Sequence, residues 1–346
     1  AARGDIASIN LRGLGTGNTL LLINGRRMVL NPGFQTELFV PVVSSDTNEI
    51  APGAVRRLEV LRDGASALYG ADAVAGVVNT ILKDNLDGGF VRANYGASMG
   101  TSLYNSSIRG GYGFDFNEGR SNLTLYGYYF HENGAPTSMR DYSSSSDLRR
   151  LVEGTDFEGD SNFHNRTSDT PWATFDIQGS GATSSNIWAV RDDDFHIQPC
   201  SFLSAGDTRS VNLGGGLCAD NGSSVDADLR YDSNTDRSLY SEKDRYNVSA
   251  LFNHELSDAV EFYAEGSFYR SKSTRVREQS GPLTAVPLGV LSSAYYNPLG
   301  ATTLLDGSDN PNRLDGLGAG VSDSGRDLLL ENYRVIDAGP RNITVT

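Results

Sequence analysis

The sequence predicts a small mixed α/β domain followed by antiparallel strands of a transmembrane β-barrel. Three observations carry this. From about Leu86 apolar and polar residues alternate with period two over several segments. The connections between those segments are in turn tight and very long. No run of about 18 apolar residues occurs, so a membrane would be crossed by strands and not by helices.

The bulk composition agrees. The chain has 346 residues, enough for two or three ordinary domains or part of a large one. Hydrophobic residues make up 38%, and the mean hydropathy is −0.35. A barrel needs only every second strand residue apolar, so its average hydropathy looks like that of a soluble protein. The 39 glycines and 16 tyrosines suit barrel strands better than a helical enzyme. The net charge of −14 is the wrong sign for nucleic-acid binding, and no basic cluster is visible. The acidity is read as solubility.

Residues 1–86 mix strand-like and short helical runs. Thr19 to Leu30 (TLLLINGRRMVL) reads as two short strands about Asn24-Gly25, a strong turn dipeptide. Pro52 to Arg57 reads as a short helix start, because proline favours the first helical turn. Leu58 to Arg62 is strand-like, Ala65 to Ala73 is a short helix of small residues, and Val74 to Leu82 is apolar and β-branched.

Strands are expected near 88–97, 103–114, 121–131, 245–256, 259–276 and 331–346. In the fifth, Val260, Phe262, Ala264, Gly266 and Phe268 alternate with Glu261, Tyr263, Glu265, Ser267 and Tyr269. One face would meet lipid and the other a wet lumen, although a soluble sandwich strand alternates too. Tight connections follow the second and fourth strands, at Phe116 to Arg120 and Leu256 to Asp258. Long ones follow the third and fifth, at about 132–244 and 277–330. Outer-membrane barrels have short periplasmic turns and longer extracellular loops, so both long connections fall outside. From Gly134 to Asp244 there are nineteen Asp/Glu against nine Lys/Arg, most of the chain's excess acid. Connections this long without regular structure are functional or disordered.

Several pieces of residues 6–84 resemble, in order, the plug domain of TonB-dependent outer-membrane receptors. Asn10-Leu11-Arg12-Gly13 is similar to the early "LRG" element. Leu20 to Arg26, which contains Gly25, is similar to the "LVLLNG" strand and turn. Arg57-Leu58-Glu59-Val60 resembles "RIEV", and Ser66, Tyr69-Gly70, Ala73, Gly76 and Asn79 match the spaced tail. Where many members carry Gly-Pro after the "RIEV" strand, this chain has Asp63-Gly64. The resemblance implies a plug over 1–86, lacking its N-terminal part, and the first part of an outer-membrane barrel over 87–346. About six strands cannot close a barrel of the 22-stranded class, and open edges in lipid are forbidden. The chain is therefore expected to be an incomplete portion of a longer receptor. Ala1 opens the sequence without a charged n-region or apolar h-region, so a signal peptide is expected to have been removed or to lie upstream, and the TonB-contacting segment is expected to precede Ala1.

The resemblance also implies roles. Arg12, Arg57, Glu59 and Arg62 are expected to pair with charges on the barrel wall. Cys200 and Cys218 fall in one extracellular loop, where oxidising conditions favour a disulfide. Candidate ligand contacts are Phe34 in the segment Pro32 to Asn48, and Trp188, Asp192, Asp193, Asp194 and His196 in the long loop. Trp172 and Trp188 suit either stacking on a ligand or a local apolar cluster. The acidic run with His196 suits a divalent metal or ferric complex, but a solvated charge run is the simpler reading. No resident cofactor, metal or catalytic residue is assigned.

Rival motifs are weaker. Gly13 to Gly17 lacks the helix that a dinucleotide site needs after its glycines. Asp232 to Asp236 opens like a calcium loop, but Arg237 and Lys243 stand where an EF-hand needs Gly and Glu. Gly159-Asp160-Ser161 resembles the nucleophile block of lipase-like hydrolases, without a recognisable partner among His131, His164, His196 and His254.

The expected function is energy-coupled import of a scarce nutrient, such as a siderophore, cobalamin or saccharide, across the outer membrane of a Gram-negative bacterium. The partners are the TonB complex, outer-membrane lipid and that ligand, with no nucleic acid. The alternatives are a passive or adhesive outer-membrane protein that kept a plug-like domain and, less favoured, a secreted hydrolase using Ser161.

Overall fold

The computed structural model describes residues 5–31, 34–37, 40–62, 65–172, 174–177, 194–203, 210–222, 225–235, 237–278, 288–314, 322–331, 333 and 340–346. In chain order the strands are β1 (Thr19–Ile23), β2 (Arg26–Arg27), β3 (Phe34–Glu37), β4 (Val40–Val43), β5 (Val55–Leu61), β6 (Gly76–Leu82), β7 (Gly88–Ala97), β8 (Tyr104–Phe116), β9 (Ser121–Glu132) and β10 (Ala135–Pro136). They continue as β11 (Thr174–Ile177), β12 (Asp194–Pro199), β13 (Val211–Gly214), β14 (Leu217–Asn221), β15 (Ser238–Tyr240), β16 (Glu242–Ser257), β17 (Val260–Arg277), β18 (Leu288–Val290), β19 (Leu328–Glu331) and β20 (Arg341–Val345). Among the described residues one short α-helix, α1, spans Ser66–Tyr69. No described helix is long and apolar enough to cross a membrane. The chain forms two compact units: Ala1–Pro136 with Ser238–Val276 and Asn342–Thr346, and Thr137–Arg237 with Arg277–Arg341.

In the first unit, the N-terminal domain is built on a sheet of order β2-β1-β6-β5. The β1–β2 turn has φ of 47° at Asn24 and 78° at Gly25, the two positive values that a type I′ hairpin requires. β1 runs parallel to β6, with Thr19 opposite Gly76, and is apolar on both faces because both are covered. Leu20 and Leu22 pack with Ala65, Ala73 and Val77. Leu21 packs with Met28 and Val78 on the other side. The expected helix start at Pro52 is a turn instead, and β5 already begins at Val55. The free edge of β6 recruits that segment: Val55 pairs with Leu82, and the Lys83 amide donates to the Ala54 carbonyl.

The second sheet of this unit has the order β20-β17-β16-β9-β8-β7. From β7 to β17 it is a continuous antiparallel ladder, and one register row joins Val91, Gly110, Gly127, Val248 and Phe268. The side chains of that row are exposed, Val91 at 74% and Phe268 at 61%. Ile108, Tyr112, Phe114, Phe116, Tyr246 and Phe262 stand exposed on the same parity. From Tyr246 to His254 this apolar face runs roughly 26 Å along the strand, close to the about 25 Å apolar band of an outer-membrane barrel. The opposite parity carries Tyr126, Asn247, Ser249 and Leu251, all buried. The sheet is open, as an incomplete barrel wall requires.

Five of the expected strands match β7, β8, β9, β16 and β17 closely. The sixth is shorter, because Glu331 belongs to β19 and β20 begins only at Arg341. The two long connections are not structureless. Together they make the second unit, whose sheet has the order β13-β14-β12-β11-β19-β18 around Phe195, Ala219, Leu299 and Leu328. β19 comes from the later connection and pairs with β11 of the earlier one. Cys200 and Cys218 form a disulfide in this unit, with Cα atoms 4.9 Å apart.

Candidate functional site

The candidate site lies where the N-terminal domain meets the inward face of the β7–β17 wall, within the first unit. Its apolar part joins Ala51 and Ala54 of the domain to Tyr126 and Leu251 of the wall, with Leu82, Leu86, Phe90 and Tyr128 packed around them. The Tyr126 hydroxyl, carried into this layer by the alternation of β9, donates to the Lys83 carbonyl at 2.8 Å.

Polar contacts hold the rest. The Arg245 guanidinium donates through Nε and Nη2 to the two Asp5 oxygens, the second at 2.7 Å. Ser271, opposite Arg245 in the register, donates to the same carboxylate at 3.3 Å. Lys243 stands 3.9 Å from Asp5 and 3.0 Å from Glu132. The Asp5 side chain is only 6% exposed, so this is a buried ionic contact. At a second place Glu265 of β17 receives Arg26 and accepts from Asn24 Nδ2 at 2.9 Å. Arg26 also lies over the Tyr263 ring, 5.5 Å from its centroid. Asn247 donates to the Glu49 carbonyl, and Asn253 donates to the Asp84 carbonyl at 3.0 Å.

Between these contacts is a cavity of about 300 Å³, lined by Arg26, Met28, Glu49, Leu251, Glu265 and Ser267 among others. Burial, reinforced by the nearby Asp46 charge, pushes the Glu49 carboxyl up to about 7. Burial also raises Asp46, against the bonds it accepts from the Ala7 and Asn48 amides at 3.0 Å each. The interface is thus a set of separable ionic and hydrogen-bonded latches beside a partly polar cavity.

Arg57 and Glu59 lie two apart on β5, hence on one face of the strand, and pair with each other at 2.8 Å. Arg57 holds the Glu59 carboxyl below its ordinary range. Arg12 and Arg62 are exposed. Among the described residues, Asp5 and Arg26 make ionic contacts with the wall. Nothing local in the sequence marks Asp5, because its partner is 240 residues away.

The motif residues converge on the domain's own frame. Asn79 accepts from the Gly25 amide at 2.9 Å and donates to Glu59 at 3.2 Å, tying the β1–β2 turn to β5 through β6. Gly76 has φ of 138°, and a Cβ there would lie 2.5 Å from the Leu61 carbonyl oxygen. Ser66 and Tyr69 bound α1, and Gly70, at φ of 87°, ends it. Arg27 caps this corner by donating to Asp72 and to the Tyr69 carbonyl. Gly13 has φ of 70° at the end of a short 3₁₀ turn that holds Leu11 and Arg12.

Of the candidate ligand contacts, Trp188, Asp192 and Asp193 lie outside the described residues, and Phe34 is placed only as the first residue of β3. His196 is 2% exposed in β12, and its Nδ1 is 2.7 Å from the Gly222 carbonyl; its neighbour Phe195, on the opposite parity, is buried too, so both faces of the strand are covered there. Asp194 begins the same strand. Trp172 sits in a bend after Thr170, whose hydroxyl accepts from its amide at 3.1 Å. Asp160 caps a 3₁₀ turn that contains Ser161, and His164 has neither ring nitrogen in a hydrogen bond, so Ser161 is not paired with it as a nucleophile would be. Asp232 accepts from Ser145, from the Ser146 amide at 2.8 Å and from the Asn234 amide at 3.0 Å, so its loop is a backbone clasp.

Residues 1–77 match the family described as TonB-dependent Receptor Plug Domain. The Ferric enterobactin receptor PirA of Pseudomonas aeruginosa is 39% identical over 89 residues, 25% of this chain and 12% of that protein. The Ferrienterobactin receptor of Escherichia coli is 40% identical over 85 residues, 23% of this chain and 11% of that protein. The Vitamin B12 transporter BtuB of Vibrio vulnificus is 28% identical over 205 residues, 53% of this chain and 32% of that protein. The matches therefore span between about a tenth and a third of these relatives. A crystal structure of the ferric enterobactin receptor PfeA of Pseudomonas aeruginosa aligns with 79% of this chain and 36% of its own, at 17% identity and a TM-score of 0.36.

Proposed function

We propose, from the premise that this chain belongs to the TonB-dependent outer-membrane receptors of Gram-negative bacteria through its plug domain, that it forms the plug and part of the wall of an active importer. A nutrient is captured on the extracellular side, and the TonB complex then remodels the plug to let it pass. The nutrient class is a siderophore, cobalamin or saccharide. The mechanism is binding and gating, without bond-making chemistry by the chain.

One observation supports this reading above the others. The plug is seated on the wall by two ionic latches, Asp5–Arg245 and Arg26–Glu265, that flank a small contact layer and a cavity. A structural filler would be better served by a continuous apolar seam, since well-packed apolar groups replace buried ion pairs at no loss of stability. Ionic latches can be broken and remade, as a gate requires. Strand alternation supplies the second requirement, an apolar outer face for lipid and a polar inner face for the plug.

The test uses the intact parent protein in cells. Uptake of labelled ferric siderophore, cobalamin and maltooligosaccharide is followed with and without a functional TonB complex. Saturable uptake of one of them that disappears without TonB is the expected result. Uptake that ignores TonB would favour a passive pore, and surface binding without uptake an adhesive protein.

A further inference from the structure

We infer that Asp147, His164 and Asp228, in the second unit, form a site for a divalent transition-metal ion of the zinc class, with the Arg149 side chain standing in the ion's place. The three are held by backbone and not by chance proximity. Asp147 and His164 face each other across an antiparallel bridge. The Leu148 amide donates to the Phe163 carbonyl at 2.8 Å, and the Asn165 amide to the Ser146 carbonyl at 3.0 Å, on either side of it. Asp228 sits in a 3₁₀ turn capped by Asp226. That turn is tied to the neighbouring chain by Arg166, which donates to the Asp228 carbonyl at 2.7 Å, and by Thr170, which donates to the Leu229 carbonyl at 3.0 Å.

The independent sign of a ligand is His164. Its side chain is 4% exposed, and both ring nitrogens are buried without a hydrogen-bond partner. Such an orphan is rare and costly. Its Nε2 points between two carboxylates, 3.9 Å from Asp147 Oδ2 and 3.6 Å from Asp228 Oδ1. These gaps are too long for hydrogen bonds. Two donors about 2.1 Å from a tetrahedral zinc lie roughly 3.4 Å apart, so an inward shift of a few tenths of an ångström at each carboxylate brings both gaps to ligand spacing. All three donor atoms lie within 4.8 Å of one another. One imidazole and two carboxylates suit zinc and its neighbours, whereas calcium and magnesium favour all-oxygen shells.

Arg149 Nη2 now bridges the same two oxygens, 2.7 Å from Asp147 Oδ2 and in contact with Asp228 Oδ1. Arg166 stands further off, 3.8 Å from Asp147 and 4.0 Å from Asp228. The Arg149 side chain is 38% exposed and has solvent to swing into. The metal and Arg149 therefore compete for one position.

The experiment is a calorimetric titration of the intact protein, stripped of metal and held in detergent, with zinc chloride. The Arg149→Ala variant is expected to take up one equivalent at least tenfold more tightly than the unaltered protein. The double variants Arg149→Ala/His164→Gln and Arg149→Ala/Asp228→Asn are expected to lose that equivalent, with near-ultraviolet circular dichroism unchanged. Asp228 is half exposed, so its variant keeps the test valid if the His164 change unfolds the unit. Absence of any stoichiometric uptake in Arg149→Ala would overturn the assignment. So would uptake that survives in a folded double variant, because the acidic surface alone would then be the binder.

Discussion

Asp5 and Arg245 stand 240 residues apart in the chain and meet as a two-bond ion pair, with the Arg245 guanidinium also lying over the Phe130 ring at 4.9 Å. The pair joins plug to wall where the Asp5 side chain is almost out of solvent. Removing one partner of a buried pair leaves the other uncompensated, at a cost of about 3–5 kcal/mol. Asp5→Ala is therefore expected to weaken plug docking by that order. The double variant Asp5→Ala with Arg245→Leu is expected to recover much of the loss. Urea titration of the intact protein, followed by protease access to the plug, measures both. Strict additivity of the two changes would mean that the pair does not couple plug to wall.

Gly76 tests whether the plug motif is a packing requirement. Its φ of 138° and the 2.5 Å approach of the Leu61 carbonyl leave no room for a side chain. Gly76→Ala is expected to destabilise the plug by roughly 2–4 kcal/mol, through strain and displacement of the β5–β6 ladder. Gly25→Ala meets no neighbour within 4 Å and is strained by its positive φ alone, so its loss should be smaller, about 1 kcal/mol. Melting midpoints of the two variants give the ranking, and equal losses would remove the crowding argument.

How much of this was legible in the sequence follows from the range of each interaction. The wall strands are long and carry exposed apolar residues at every second position, so Val260, Phe262 and Phe268 announce their register locally. The hairpin at Asn24-Gly25 is a two-residue signal and appears where the dipeptide predicts it. The second unit was invisible because its strands are short, four residues at β11 and β19, and its sheet is joined across the two long connections only by the pairing of those two strands. The Asp5 latch was hidden for the same reason. Arg57 and Glu59 are the opposite case, since their i, i+2 spacing on a strand already places them side by side, where they pair.

Asn79 predicts a local effect. It is the link between the Gly25 amide and Glu59, and its loss leaves the β1–β2 turn without that brace. Asn79→Ala is expected to cost about 1–3 kcal/mol, the range for two hydrogen bonds of which one involves a charged group. Amide exchange at Gly25 should accelerate far more than at Leu21 in the middle of β1. Equal acceleration at both sites would point to global loosening instead.

Glu49 gives the plug a pH dependence of defined sign. Its carboxyl titrates at about 7 in the folded state, above its ordinary 4.5, because burial and then Asp46 oppose the charge. Below about pH 4.5 it is protonated whether the plug is folded or not, and no penalty applies. Between 4.5 and 7 the unfolded chain releases this proton first, so stability falls as pH rises. Above 7 the buried charge is present in full. Glu49→Gln removes the charge, so the variant is expected to match the unaltered protein near pH 4. Near pH 8 it should exceed it by about 1–2 kcal/mol, a figure reduced for partial solvent screening. Melting midpoints at pH 4, 6 and 8 decide it. A variant that gains nothing at pH 8 would show that the carboxylate finds a compensating cation beside the cavity. Glu49 would then belong with Asp5 among the ionic latches, and not with the groups that the plug holds against their preference.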